Sequence, residues 1–216
     1  MINSPNRRSA VRGLYAISDG PRVDLIDVVA AALRGGAGVI QYRDKTDDSA
    51  RRGTEAGAIS ALCRRHNALF IVNDDIDLAL AAGADGVHLG EDDADIALAR
   101  ARMGDAAMIG VSCYNSPQRA ENFAALGADY LAFGAFFPSR SKKTSRQATP
   151  QMLSDARRFG LPLVAIGGID ASNATSLIDA GADAIAVISA VFGASDVEAQ
   201  ARRLAALFDV TSSRRE

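Results

Sequence analysis

Four similar junctions divide the chain into repeating units. In each, a glycine follows an alanine- and leucine-rich stretch and precedes a short apolar segment; these glycines are Gly36, Gly83, Gly127 and Gly181. Glycine ends a helix readily because it adopts the left-handed backbone conformation without a steric penalty. The glycines recur at intervals of roughly 45 to 55 residues, about twice the length of one strand and helix, so each interval is expected to hold a second strand.

The predicted strands alternate with predicted helices along the whole chain. Strands follow the glycine junctions at 39–40, 87–89, 130–133 and 185–187, and the intervening strands lie at 14–18, 69–73, 108–112 and 163–166. An apolar period near 3.6 predicts helices over 25–34, 50–65, 96–102, 117–126, 152–159, 173–180 and 197–208.

This alternation of eight strands with helices predicts an α/β protein folded as a (β/α)8 TIM barrel. Such a barrel needs about 200 to 250 residues, and the chain has 216. A doubly wound open sheet would more often carry Gly-x-Gly-x-x-Gly after its first strand, and residues 14–20 do not. We therefore expect a single domain over 1–216, with frayed tails at about 1–11 and 211–216.

The composition is that of a soluble globular protein, with 48% hydrophobic residues, 23% charged residues and a net charge of -2. A nucleic-acid partner is not expected, because the chain has no basic excess. The longest apolar run, 184–194, is too short to cross a bilayer, and no apolar stretch follows Arg7 and Arg8 as in a secretory signal. We expect a cytoplasmic protein in which Cys63 and Cys113 are buried thiols rather than metal ligands or a disulfide.

An amide and two cations follow the second predicted strand. In extended backbone, alternate side chains share a face, so Gln41, Arg43 and Lys45 would project together. This row indicates a site for an anionic ligand. The alternative is a solvated strand end whose charges point into water.

Aspartates follow the third and fourth predicted strands. Asp74 and Asp93 would face each other at neighbouring strand ends, where two carboxylates repel unless a cation lies between them. Mg²⁺ suits such a pair, since it accepts one or two carboxylates together with water and phosphate oxygens. Either aspartate could instead cap a helix or pair with Arg43 or Lys45. The stronger candidates for helix caps are Asp75, which follows Asp74, and Asp92, which precedes Asp93.

A second, neutral anion site is indicated after the seventh and eighth strands. Gly167-Gly168, Ser172-Asn173 and Ser189 have the form of a backbone and hydroxyl cradle for a phosphate monoester, although a double glycine can also serve only a tight turn. With a cationic diphosphate site beside it, the arrangement favours alkyl transfer with diphosphate as the leaving group. The sequence shows no Ser-His-Asp or Cys-His arrangement, which disfavours acyl transfer.

Seven short strings along the chain carry a resemblance to a known family. They are QYRDK at 41–45, VNDD at 72–75, GVHLGEDD at 86–93, GVS at 110–112, SRSKK at 139–143, IGGI at 166–169 and VIS at 187–189. In their order and spacing, from about residue 14 to 192, they resemble the thiamine-phosphate synthase family. The resemblance implies condensation of 4-amino-5-hydroxymethyl-2-methylpyrimidine diphosphate with hydroxyethylthiazole phosphate. It also implies that diphosphate leaves first and the thiazole nitrogen captures the resulting pyrimidine-methyl cation.

The resemblance also implies roles for individual residues. The residues implied to hold the pyrimidine diphosphate are Gln41, Tyr42, Arg43, Asp44, Lys45, Asn73, Ser112 and Lys142, of which Arg43, Lys45, Ser112 and Lys142 would be catalytic. Asp74 and Asp93 would bind one Mg²⁺ per subunit. The residues implied to hold the thiazole phosphate are Ser139, Arg140, Ser141, Gly168, Ile188 and Ser189. The partners implied are two phosphorylated small molecules, and the resemblance leaves room for a homo-oligomer.

The chain departs from the family pattern at three places. Gly134-Ala135 replaces the usual Gly-Pro, Ser139 and Ser141 replace two threonines, and Glu91 replaces a common glutamine. The serines keep the hydroxyl but lose the methyl that stiffens the side chain.

Three other functions are compatible with the sequence. A related thiazole tautomerase would carry a histidine two residues after Ser112, where this chain has Tyr114. A sugar-phosphate isomerase would need a placed proton acceptor, and a non-enzymatic thiazole phosphate-binding paralogue would use the same scaffold. His88 is interpreted as a core histidine with its hydrogen bonds satisfied, or alternatively as a support for Asp74 or the pyrimidine.

Overall fold

The protein forms a closed barrel of eight parallel strands in chain order, as seen in a computed structural model. The structure describes residues 8–90, 95–138 and 146–212, with side chains described as far as 209. The strands are β1 (Gly13–Ile17), β2 (Ala37–Tyr42), β3 (Leu69–Asn73), β4 (Gly86–Leu89), β5 (Met108–Tyr114), β6 (Tyr130–Phe133), β7 (Leu163–Ile166) and β8 (Ala184–Val187). The predicted TIM barrel is confirmed.

Helices connect successive strands and cover the barrel. They are α1 (Leu25–Arg34), α2 (Ser49–His66), α3 (Ile76–Ala82), α4 (Ile96–Met103), α5 (Pro117–Ala125), α6 (Pro150–Ala156), α7 (Ala174–Asp179), α8 (Ser189–Phe192) and α9 (Val197–Ser212), with a 3₁₀ turn at Arg157–Phe159. Sequence periodicity misses α3 and α8, because seven and four residues hold too little of an apolar stripe.

The four junction glycines all have positive φ, as predicted. The values are +96° at Gly36, +61° at Gly83, +88° at Gly127 and +112° at Gly181. Three of these glycines are followed by Ala-Asp, and each aspartate accepts a hydrogen bond from the backbone N–H of the preceding strand. The pairs are Asp85 with Phe70 N at 2.9 Å, Asp129 with Ile109 N at 2.9 Å and Asp183 with Leu163 N at 2.8 Å.

Alternating side chains build two apolar layers. One set fills the barrel interior and includes Tyr15, Val39, Ile71 and Tyr130, while the larger set packs between the strands and the surrounding helices. The short parallel strands are buried on both faces, which suits their near-continuous apolar sequence.

The segment before β1 closes the amino-terminal end of the barrel. Val11 is 1% exposed and packs into the interior layer, and Arg8 Nε donates to Asp129 at 2.9 Å. These two contacts lie within the segment 1–11 expected to fray, of which residues 1–7 lie outside the described part of the chain. At the other terminus, α9 continues to Ser212, beyond the predicted end of the helix at 208.

Candidate active site

Two side-chain amides meet at the end of the barrel where the strands have their carboxyl ends, which we call the mouth. They come from β2 and β3. Gln41 is 2% exposed, and its Nε2 lies 3.5 Å from Asn73 Oδ1. Both belong to the predicted diphosphate site. Their contact confirms that the second and third strands deliver polar groups to one place, as the barrel topology requires.

The cationic row lies partly in a loop rather than on a strand. Because β2 ends at Tyr42, only Gln41 occupies regular strand backbone, and Arg43 and Lys45 follow it. The alternation between exposed and buried side chains nevertheless continues into the loop. Arg43 is partly exposed and Lys45 is exposed, whereas Tyr42 and Asp44 between them are buried.

Tyr42 and Asp44 turn toward α2 and anchor this loop. The Tyr42 hydroxyl donates to Glu55 at 2.6 Å, and Arg51 Nη1 lies 2.6 Å from Asp44 Oδ2. Burial opposes ionisation of Asp44, but bonds from Arg51 and Thr46 outweigh burial and lower its pKa. Both side chains are committed to the helix side, which favours a supporting role, and their contact with the diphosphate stays a prediction.

Ser18 holds the backbone of the cationic residues. Its buried hydroxyl accepts from Arg43 N at 2.8 Å and donates to Arg43 O at 3.2 Å. No carboxylate among the described residues lies within ion-pair distance of Arg43 or Lys45. The loop is thus fixed by Ser18 and Arg51, while its two cations remain available to an anion.

Asp74 lies at the top of β3, beside the start of the loop that follows β4. Its φ is +62°, its N–H donates to His88 O at 2.8 Å, and its Oδ1 accepts from Gly90 N at 3.0 Å. Asn73 Nδ2 donates to Asp74 Oδ2 at 2.5 Å. Carboxylate oxygens are hard ligands of the kind that suit Mg²⁺. The predicted partner Asp93 lies outside the described residues.

A chain of hydrogen bonds leads from Ser112 into the barrel interior. Ser112 Oγ lies 2.9 Å from His88 Nε2, His88 Nδ1 lies 3.1 Å from the Tyr130 hydroxyl, and that hydroxyl lies 2.9 Å from the Tyr15 hydroxyl. Burial lowers the pKa of His88 to about 4. Both ring nitrogens of the half-buried His88 have hydrogen-bond partners, as expected, and the bond to Ser112 leaves the alternative of a supporting role at the site open.

The double glycine after β7 is required by the close approach of the segment after β6. Gly167 and Gly168 have φ of +103° and +64°, and a Cβ on Gly168 would lie 2.4 Å from Pro138 O. Phe137 N also donates to Gly167 O at 3.0 Å. This packing gives the glycines a structural reason that stands beside the predicted phosphate cradle.

The remaining thiazole phosphate residues fall into two groups. Ile188 is half-buried and directly precedes α8, whose first residue, Ser189, is exposed. The other predicted residues, Ser139, Arg140, Ser141 and the catalytic candidate Lys142, lie outside the described residues, as does Glu91. Asp75 caps α3 by accepting from Leu78 N at 2.9 Å, as predicted, whereas Asp92 also lies outside the described residues.

Sequence reasoning did not predict three residues that support the site. Ser18, Arg51 and Tyr130 contact Arg43, Asp44 and His88 respectively. Of the three, only Tyr130 carries a signal in the sequence, because it begins the strand after a Gly-Ala-Asp junction. Ser18 and Arg51 belong to other units of the barrel, so their contacts depend on strand register and on the position of α2.

Comparison with known proteins gives the family. The family model described as thiamine monophosphate synthase matches residues 14–191. The chain belongs to this family. It is 54% identical over 199 residues to the thiamine-phosphate synthase of Halorhodospira halophila, and the aligned region covers 92% of this chain and 95% of the relative. It is 52% identical over 200 residues to that of Chromobacterium violaceum, covering 92% and 97%.

A solved structure supports the same family assignment. Thiamine phosphate pyrophosphorylase from Pyrococcus furiosus superposes with a TM-score of 0.85 at 36% identity, covering 95% of this chain and 98% of that one. Thiamine monophosphate synthases are transferases, so the chain is assigned to that class of enzyme. Within the described residues, each helix is too short or too polar to cross a membrane.

Proposed function

We propose that this protein is a thiamine-phosphate synthase. It would join the pyrimidine-methyl group of 4-amino-5-hydroxymethyl-2-methylpyrimidine diphosphate to the nitrogen of hydroxyethylthiazole phosphate and release diphosphate. The observation that carries the proposal is the loop after β2, in which Ser18 and Arg51 hold the backbone and no carboxylate in the described part of the chain pairs with Arg43 or Lys45. Family membership and the names of the close relatives support the same reaction.

Catalysis in this proposal consists of stabilising the leaving group. As the carbon–oxygen bond to diphosphate breaks, negative charge grows on the leaving oxygens. Arg43, Lys45 and Lys142 would meet that charge, and Ser112 would donate a hydrogen bond to it. Fixed donors at the point where charge develops can lower a barrier by several kcal/mol.

Asp74 and Asp93 would hold one Mg²⁺ per subunit. The position of Asp74 against the loop that follows β4 fits this role, because both of its oxygens face polar groups at the mouth. When bound, the ion would neutralise part of the charge on the diphosphate. The side chains of this chain would orient the substrate beside it.

The thiazole phosphate would lie on the opposite side of the mouth, against Gly168, Ile188 and Ser189 together with Ser139, Arg140 and Ser141. Their support is the predicted cradle and the position of β7 and β8, whose following loops bind phosphate in many TIM barrels. A cytoplasmic location and a homo-oligomer complete the proposal as expectations from the sequence and the resemblance.

The test is a product assay with the purified protein. With both substrates and Mg²⁺, thiamine phosphate and diphosphate should appear in equal amounts, and omission of either substrate should abolish both products. Excess EDTA should stop the reaction, and added Mg²⁺ should restore it. Binding of the thiazole phosphate without turnover would instead indicate a non-enzymatic paralogue, and interconversion of thiazole isomers would indicate a tautomerase.

A further inference from the structure

Four polar side chains form a line inside the barrel that ends at the active-site mouth. Tyr15, Tyr130, His88 and Ser112 are joined by three hydrogen bonds of 2.9, 3.1 and 2.9 Å. Tyr15 is 2% exposed and Tyr130 is fully buried, whereas Ser112 is partly exposed. The line therefore begins in the core and reaches a residue that we place against the substrate.

Because Gly110 has no side chain, Tyr130 can reach across it to hydrogen-bond with His88. His88, Gly110 and Tyr130 are neighbours in the strand register of β4, β5 and β6. A Cβ on Gly110 would lie 1.9 Å from Cζ of Tyr130, so the Tyr130 ring occupies the space above this glycine. The ring stacks on His88 with centroids 5.6 Å apart. Any larger residue at 110 would displace the phenol that bridges β6 to β4.

The two phenols keep their protons near pH 7. Burial raises the pKa of Tyr15, and burial together with the neighbouring Tyr15 raises that of Tyr130, so neither ionises. A neutral imidazole carries one proton, and the hydrogen bonds at its two nitrogens decide which nitrogen holds it.

The buried end of the line fixes the direction of every bond. Within the described part of the chain, the Tyr15 hydroxyl has one hydrogen-bond partner, the hydroxyl of Tyr130. If Tyr15 donates, Tyr130 donates to His88 Nδ1, and His88 donates from Nε2 to Ser112. In the reverse direction the Tyr15 proton would be buried without an acceptor, which costs about 1 to 3 kcal/mol.

We propose that this line of hydrogen bonds runs in one direction, from Tyr15 to Ser112, so that Ser112 accepts from His88 and points its own hydroxyl proton at the bound ligand. Tyr130 and His88 are then positioning residues for Ser112. An imidazolium would donate from Nδ1 to Tyr130 as well as from Nε2 to Ser112, and one phenol proton would then lack an acceptor, so the same hydrogen bonds favour the neutral ring. The consequence for turnover rests on the proposed function; the direction of the bonds does not.

Nitrogen NMR of histidine-labelled protein tests the direction without any substrate. The chain has two histidines, so a His66→Asn variant assigns the signals of His88. His88 should show the neutral form with its proton on Nε2. A proton on Nδ1, or a mixture of both forms, would overturn the proposal whether or not the protein has the proposed activity.

A double-mutant cycle tests the positioning role. Tyr130→Phe should lower kcat about tenfold in the wild-type background, the size of one hydrogen bond in a barrier. It should change kcat less than twofold in a Ser112→Ala background, because the residue it positions is already gone. Ser60→Ala, which removes a buried hydroxyl bonded to Gly83 O outside the barrel interior, is the control and should leave kcat unchanged. Equal losses from Tyr130→Phe in both backgrounds would show a merely structural role.

Discussion

At the residue scale, the five residues Gln41 to Lys45 divide two tasks between alternating positions. Tyr42 and Asp44 bond to Glu55 and Arg51 of α2, and these bonds hold the loop. Arg43 and Lys45 have no carboxylate partner among the described residues, so their charge remains available for a ligand. The same alternation that commits one pair to the scaffold leaves the other pair for function.

Arg51 should act on substrate affinity through this loop. Arg51→Met would leave the buried Asp44 carboxylate without its cation and release the backbone that carries Arg43. We expect KM for the pyrimidine diphosphate to rise roughly tenfold to a hundredfold, together with a lower melting temperature. Arg34→Met removes a surface pair with Glu198 and is the matched control; equal changes in KM for the two variants would contradict the anchoring role.

Lys142 should contribute more to turnover than Ser139, because it brings a full charge to the leaving diphosphate. Lys142→Ala is expected to lower kcat by about a hundredfold to a thousandfold, and Ser139→Ala by far less. Steady-state rates at saturating substrates measure both. Small and equal effects would remove Lys142 from the proposed mechanism.

At the element scale, each Gly-Ala-Asp junction joins two strands. The aspartate accepts from a backbone N–H of the preceding strand, and its own N–H donates back to the same strand, as Asp183 N does to Leu163 O at 2.8 Å. The repeat is therefore a device for closing the barrel as well as for ending a helix.

Loss of one such aspartate should reduce stability without touching the site. Asp183→Ala removes the side-chain acceptor of the Leu163 N–H at the start of β7. The free energy of unfolding should therefore fall by about 1 to 3 kcal/mol. Chemical denaturation measures the change. Asp105→Ala, at an exposed turn, is the control, and a loss no greater than that of the control would contradict this account.

The sequence was informative about elements because each strand and each long helix repeats a pattern. It was less informative where contacts cross units. The end of β2 at Tyr42 and the turn of Asp44 toward Arg51 depend on where α2 packs, which no local pattern encodes. The packing of Pro138 against Gly168 likewise joins two loops that are distant in sequence.

At the scale of the whole molecule, the two ends of the barrel serve different purposes: the amino-terminal end contributes stability and the carboxyl end carries the candidate active site. The amino-terminal end is closed by Val11 and by Arg8 and Arg100, which both bond to Asp129. The carboxyl end gathers Gln41, the two cations of the β2 loop, Asp74 and Ser112. Stability and chemistry are thereby separated along the barrel axis, as in other TIM barrels.

A substitution at the closed end should therefore separate stability from activity. Val11→Ala removes two buried methyl groups and should lower the free energy of unfolding by about 1 to 2 kcal/mol, while kcat and KM at 25 °C stay within about twofold of wild type. Thermal unfolding and steady-state kinetics on the same preparation measure both. A large loss of kcat would show that the two ends are coupled.

The most direct test of the central claim is the rate of diphosphate release by an Arg43→Met, Lys45→Met double variant at saturating substrates and Mg²⁺. If these cations stabilise the leaving group, kcat should fall by about a hundredfold or more while the melting temperature stays near that of the wild type. A kcat within about twofold of wild type would contradict the claim that this loop drives the reaction.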